Sequence, residues 1–231
     1  AAMTMLVPKT KKELMSMIEA QVVREGLACD LNHIDVSAIT DMSELFKSSP
    51  FNGDISRWNV ANVTNMSEMF MHSDFNGDIS KWNTKHAVIM EQMFYGSSFQ
   101  GDLSGWDVSK VNNMHCMFYQ SDFNGDISRW NVSKVHTMKK MFQSSVFQGD
   151  LSKWDVSNVR NMTSMFEYSV FNGDISRWNT SRVSTAKGMF MGSAFQGNIS
   201  RWNVANLQSM SSMFELSKFN GDISEWNTRK V

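Results

Sequence analysis

The sequence predicts an α/β repeat fold, a solenoid of 24-residue coils in which each coil holds a short parallel strand and a short helix. Phenylalanine recurs every 24 residues without a change of phase, and the apolar positions inside each copy show both strand and helix spacing. A fixed period of this length indicates a unit that buries its apolar face only against neighbouring copies. The recurring residues are Phe51, Phe75, Phe99, Phe123, Phe147, Phe171, Phe195 and Phe219.

Three parts are predicted along the chain, and together they form one continuous solenoid domain. Residues 1–29 are an N-terminal tail and a capping helix, and residues 30–50 are a degenerate first coil. Residues 51–231 hold seven full repeats and a half repeat. A terminal copy is expected to be atypical because it has a neighbour on one side only.

The capping helix is predicted over residues 11–25. Thr10 with Glu13 three residues later forms a capping box, and Gly26 provides a C-terminal stop. Apolar residues recur between them at helical spacing. We expect this helix to cover the first coil, whose edge and aromatic side chains would otherwise be exposed.

Each coil is predicted to change from strand to helix. Trp58 and Val60 alternate with Asn59, as in a half-buried strand, and the apolar residues from Val63 to Phe70 recur at intervals of three and four. Gly53 is predicted to supply a left-handed turn that returns the chain to the next strand.

The composition excludes several classes of function. The net charge of −1 provides no general field that would attract nucleic acid. The apolar stretches are far shorter than the roughly 20 residues of a membrane-spanning helix. Cys29 and Cys116 occupy different positions of the repeat, more than three coils apart, so both are predicted to be free thiols.

The repeat resembles that of the BspA-like leucine-rich-repeat surface proteins, whose motif is W-(D/N)-V-S-x-V-x-N-M-x-x-M-F. The segments 106–114 and 154–162 follow this motif almost letter for letter. The resemblance implies a right-handed leucine-rich-repeat-like solenoid of bacterial origin. It also implies a role in adhesion or host interaction at the cell surface and no enzymatic activity, although the sequence shows no leader peptide.

Three sets of repeated residues suggest ligand chemistry but are better explained as structure. The methionines in the positions of Met66 and Met69 could bind Cu(I), the tryptophans in the position of Trp58 could stack against a ligand, and the aspartates in the position of Asp54 could bind calcium. We expect the first two sets to fill the core and the third to accept hydrogen bonds in turns or to pair with basic residues. No metal, cofactor or catalytic site is therefore predicted, and the five histidines are expected to form no coil-to-coil cluster with cysteine or a carboxylate.

The outward side of the predicted strands is the candidate interaction face, because repeat arrays use extended faces for partners. Its partner is predicted to be a protein, with an acidic segment as the best fit, and no nucleic acid is expected. The alternatives are a glycan or host surface ligand, and a spacer that associates end to end through its C-terminal coil. The candidate residues are Arg57, Asn59, Lys81, Asn83, Asp107, Arg129, Asn131, Lys153, Asp155, Arg177, Asn179, Arg201 and Asn203.

Overall fold

The computed structural model describes residues 4–231, so the first three residues of the predicted tail lie outside it. The described chain is a stack of coils with one α-helix, α1, at Lys11–Glu25. It is 7% helical and 5% strand, and the strand content consists of isolated parallel bridges without a sheet. The predicted α/β leucine-rich-repeat-like solenoid of strands and helices is therefore wrong, whereas the 24-residue coil spacing is visible in the bridges.

Helix α1 has the bounds and the caps that the sequence predicts. The Thr10 side chain accepts a hydrogen bond from the N–H of Glu13 at 3.1 Å. Gly26 ends the helix at a φ of 95°, in the region that favours glycine. Leu14 and Ile18 are buried and belong to the same apolar core as the coils, so α1 covers the first coil.

The bridges join successive coils in parallel register, and they lie outside the predicted strand. Seven of the nine bridges in residues 4–231 occur two residues after Val63 or at the equivalent position of another coil, between the two groups of turns. The residues of these seven bridges, each paired with the next, are Asp41, Asn65, Ile89, Asn113, Thr137, Asn161, Thr185 and Ser209. The other two bridges join Leu6 to Ile34 and Asp30 to Asp54 near the first coil.

The predicted helix in each coil is instead a series of overlapping turns. The N–H groups of Glu68, Phe70 and His72 donate to carbonyls 23 residues later, in the next coil, at 2.9, 2.9 and 2.8 Å. Glu68 and His72 have φ values of 56° and 52°. A helix would send every N–H to the residue four earlier at negative φ. A helix of so few residues is marginal by itself, and the neighbouring coil supplies the hydrogen-bond partners instead.

The predicted strand is also replaced by turns. The N–H of Trp58 donates to the carbonyl of Ile55 at 3.2 Å, and the N–H of Val63 donates to that of Val60 at 3.0 Å. Trp58 and Val60 are buried and Asn59 is exposed. The predicted direction of these side chains is therefore right, because three extended residues between two turns alternate as a strand does.

The repeat glycines serve close packing and do not provide left-handed turns. None of the glycines in the position of Gly53 has a φ in the left-handed region. At Gly125, an added Cβ would lie 2.8 Å from the ring of Phe123, which folds over it. Glycine is needed here because any side chain would displace this ring.

Aromatic side chains run through the core as continuous stacks. Phe123 and Phe147 have ring centroids 6.4 Å apart, and Trp130 and Trp154 have centroids 6.5 Å apart. The indole N–H of Trp130 donates to the carbonyl of Leu103 in the preceding coil at 3.0 Å, and all eight tryptophans make the equivalent bond. The tryptophan and methionine positions are buried, which confirms their predicted place in the core.

Candidate interaction surfaces

All thirteen candidate residues are exposed, but they do not lie on a sheet. The basic ones occupy the tips of turns. Arg129, for example, precedes Trp130, whose N–H closes the turn onto Ile127. We call the six cations at this position the basic ridge. They are Arg57, Lys81, Arg129, Lys153, Arg177 and Arg201.

The asparagines and aspartates beside the basic ridge shape the backbone. The side-chain oxygen of Asn131 accepts the N–H of Ser133 at 3.0 Å, and Asp155 accepts that of Ser157 at the same distance. This is the Asx turn, in which a short polar side chain replaces a backbone acceptor. These residues position the ridge and keep further lone pairs for a partner.

The aspartates in the position of Asp54 form the same turn. Asp150 accepts the N–H of Ser152 at 2.9 Å. Hydrogen bonds from the backbone and side chain of Ser152 hold the pKa of Asp150 below its ordinary value, and the charge of Lys153 lowers it further. The sequence predicts that these aspartates accept hydrogen bonds in turns or pair with basic residues, and the structure shows the hydrogen bonds in turns.

The ion pairs of residues 4–231 do not involve the basic ridge. They join Lys11 to Asp41 and Lys47 to Glu44 and Glu68, all near the first coil. Within the same residues, no group of three or more His, Cys, Asp or Glu side chains is placed to hold a metal ion. The cations of the ridge are therefore exposed without an ion pair in residues 4–231, although five of them lower the pKa of the aspartate three residues earlier by their charge.

One group of reactive residues escaped the sequence analysis. Glu91 and His115 are 24 residues apart and so lie in adjacent coils, next to Cys116. The charge of Glu91 acts on His115 from the neighbouring coil, and the repeat length itself could have shown that the two residues occupy the same position. Burial raises the pKa of the Cys116 thiol to about 11 and lowers the pKa of His115. Cys116 therefore remains a protonated, buried thiol and is not activated as a nucleophile.

A second feature that the sequence analysis missed is a group of partly exposed aromatic side chains on the turns that follow the bridges. Tyr95 and Tyr119 stack with ring centroids 4.5 Å apart, and His72 meets Tyr95 edge-on at 5.1 Å. The His72 ring lies over Gly96, where an added Cβ would approach it to 2.4 Å. The side chains on these turns differ from coil to coil, whereas those of the basic ridge are repeated.

The fold and its exposed faces define a tandem-repeat solenoid. The model of the family described as Mycoplasma protein of unknown function, DUF285, matches residues 13–122, 97–194 and 144–231. These overlapping matches cover most of the chain, and the chain belongs to this family. No curated protein and no solved structure matches it.

The family match shows tandem repeats, and the resemblance to the BspA-like surface proteins stays a prediction. The described helix α1 is too short and too polar to cross a membrane, and no other helix occurs in residues 4–231.

Proposed function

We propose that the chain is a non-enzymatic repeat scaffold that binds a protein partner through the basic ridge. The observation that carries the proposal is the row of six exposed cations, one on the turn tip of nearly every coil, without an ion pair among residues 4–231. At roughly 4.8 Å for each parallel coil, the cations follow one another along the stack at intervals of one coil, with a gap at Gly105. An acidic, extended segment of a partner fits this charge pattern.

The repetition of the structure supports a binding role over catalysis. The residues that recur in every coil have structural partners: the indole N–H groups bind carbonyls, and the aspartates close turns. A nucleophile needs an adjacent, oriented base. Cys116 is buried with a raised pKa, so the one constellation of reactive residues described above does not meet this requirement.

A charge-reversal variant tests the basic ridge. We expect wild-type protein to bind a synthetic peptide of alternating glutamate and serine, with an affinity that falls as salt rises. The variant carries glutamate at Arg129, Lys153, Arg177 and Arg201, and it is expected to lose this binding.

The matched control carries the same change of charge away from the ridge, at Lys12, Arg24, Lys139 and Lys187. It is expected to bind the acidic peptide nearly as well as wild-type protein. Equal loss of binding in both variants would show an effect of net charge alone and would contradict the proposal, as would the absence of binding by the wild type.

A second candidate function is adhesion to an anionic glycan, which the BspA-like resemblance implies and which the regular spacing of the cations also suits. A sulfated oligosaccharide of the same charge as the peptide, tested with the same variants, separates the two. Tighter binding of the oligosaccharide through the basic ridge would favour adhesion over a protein partner.

A further inference from the structure

Three apolar side chains are exposed together on coils in the middle of the stack. Val146, Tyr168 and Val170 are 47%, 50% and 44% exposed. Val146 and Val170 are 24 residues apart and so lie in adjacent coils, and Tyr168 precedes Val170 by two residues. We call these three residues the apolar ridge. Further coils flank these residues on both sides, so their exposure does not result from a position at the end of the stack.

Tyr168 occupies a backbone conformation that costs stability. Its φ is 53°, and an L-residue in the left-handed region is disfavoured relative to glycine. Gly192 holds the same position one coil later with a φ of 64°, so the scaffold accepts glycine there. The tyrosine remains half exposed, and burial does not offset the cost. The same positive φ recurs at this position in every coil, from Ser48 to Leu216, so the cost belongs to the repeat backbone, and what distinguishes Tyr168 is its exposed aromatic ring.

The ring of Tyr168 is nevertheless held in place. A Cβ on Gly192 would lie 2.4 Å from two carbon atoms of this ring, so the ring lies across the glycine. Any side chain at residue 192 would push the ring away. Tyr168 therefore presents an ordered aromatic surface, and an ordered side chain loses less entropy on binding.

The border of the apolar ridge is acidic. Glu167 precedes Tyr168, and Asp122 holds the position of Val146 one coil earlier, whereas the first cation at the valine position is Lys218, two coils after Val170. Neither carboxylate takes part in the ion pairs of residues 4–231. A partner with Lys or Arg beside its apolar side chains would complement this border.

We propose that the apolar ridge docks a segment of another protein in which apolar side chains are bordered by lysine or arginine. A second copy of this chain fits poorly, because a two-fold contact centred on the apolar ridge brings the two acidic borders together. The proposal uses residues separate from the basic ridge and a partner of opposite charge. It therefore stands independently of the proposed function.

A peptide selection tests both the place and the chemistry. Random twelve-residue peptides displayed on phage are selected on wild-type protein, and the enriched peptides are synthesised for affinity measurements. We expect peptides that combine large apolar residues with Lys or Arg. Their affinity should fall at least tenfold for the variant with Val146→Ser and Val170→Ser, and severalfold for Glu167→Gln.

The control variant carries Val23→Ser and Glu19→Gln on helix α1, where the valine is also exposed. It should bind the peptides as wild-type protein does. No enrichment, enrichment of acidic peptides, or affinity unchanged by the ridge variants would overturn the proposal. Sedimentation velocity provides a further test. If the wild type is a dimer and the variant with Val146→Ser and Val170→Ser is a monomer, the partner is a second copy of the chain and the proposal is overturned.

A Tyr168→Gly variant separates function from structure. If the tyrosine is retained for binding, glycine should raise the unfolding midpoint while the affinity for the selected peptides falls. A lower midpoint would show that Tyr168 is retained because it stabilises the fold, which would contradict a role in binding.

Discussion

The two sides of each coil are held together by different parts of the chain. In residues 55–63, the bonds to the neighbouring coil come from side chains, such as the indole N–H of Trp82 to the carbonyl of Ile55 at 3.0 Å. In residues 66–72, they come from the backbone, at alternate N–H groups. Both sides stack in the same register, so two hydrogen-bonding systems maintain one period.

The difference shows where this scaffold can vary. A side chain that makes a structural bond must be repeated, and tryptophan recurs in every coil from Trp58 to Trp226. Where the backbone makes the bond, the outward side chain is free. The position of His72 holds Gly96, Gln120, Ser144 and Tyr168 in the following coils. The variable aromatic and apolar residues lie on this backbone-bonded side.

The largest expected effect is on the side-chain-bonded half of the coil. Trp130→Ala should lower the free energy of unfolding by about 3 to 5 kcal/mol, because it opens a cavity in the core and leaves the Leu103 carbonyl without its donor. Urea denaturation measures the change.

Trp130→Phe sharpens this result, since it keeps much of the ring volume and removes the indole N–H. It should cost less than the alanine variant. A near-neutral Trp130→Ala would mean that the side-chain bonds do not hold this side of the stack.

A smaller loss is expected from crowding at a repeat glycine. Gly125→Ala should destabilise by about 1 to 3 kcal/mol, because the new Cβ would lie 2.8 Å from the Phe123 ring. Gly105→Ala is the control, since its Cβ would find only the Ser80 carbonyl, at 3.8 Å. Thermal unfolding of the pair checks the prediction, and equal effects would contradict it.

Adjacent lysines test the strained backbone of the other side. Lys140 has a φ of 58°, and Lys139 lies outside the left-handed region. Lys140→Gly should raise the free energy of unfolding and Lys139→Gly should lower it, with a difference of about 1 to 2 kcal/mol. Both changes remove one positive charge, so denaturant midpoints compare them directly. If both variants changed the free energy of unfolding in the same direction, the proposed strain at Lys140 would be refuted.

The smallest effect is a dependence on pH. Hydrogen bonds to serine lower the pKa of Asp126, Asp150 and Asp174 in the folded chain. A lowered folded pKa contributes stability above the unfolded value of about 4, and this contribution is lost as the pH falls through the folded value. Wild-type protein should therefore lose stability in acid.

Asparagine provides the control for this loss, because Asn198 makes the same turn in one coil. Replacing the three aspartates by asparagine should leave stability at about pH 7 nearly unchanged and reduce its loss at about pH 2.5. Urea midpoints at the two values measure this. An unchanged acid dependence would mean that other groups control it.

The candidate surfaces were only partly predictable from the sequence. The basic ridge could be found because each cation adjoins a tryptophan whose inward direction follows from alternation. The apolar ridge could not be found, because Tyr168 lies in a turn with positive φ where the apolar spacing predicts a helix, and Val146 and Val170 follow such turns. That Glu91 and His115 occupy the same position of adjacent coils was available from the repeat length alone.

The sequence by itself determined the coil length, the buried residues and helix α1. Burial follows from apolar spacing, and the caps of α1 are local, since Thr10 and Glu13 are three residues apart. Only the tertiary structure decided the backbone between Ile55 and His72. Its hydrogen-bond partners lie a full coil away, and turns with alternate bonds to the next coil replace both the strand and the helix.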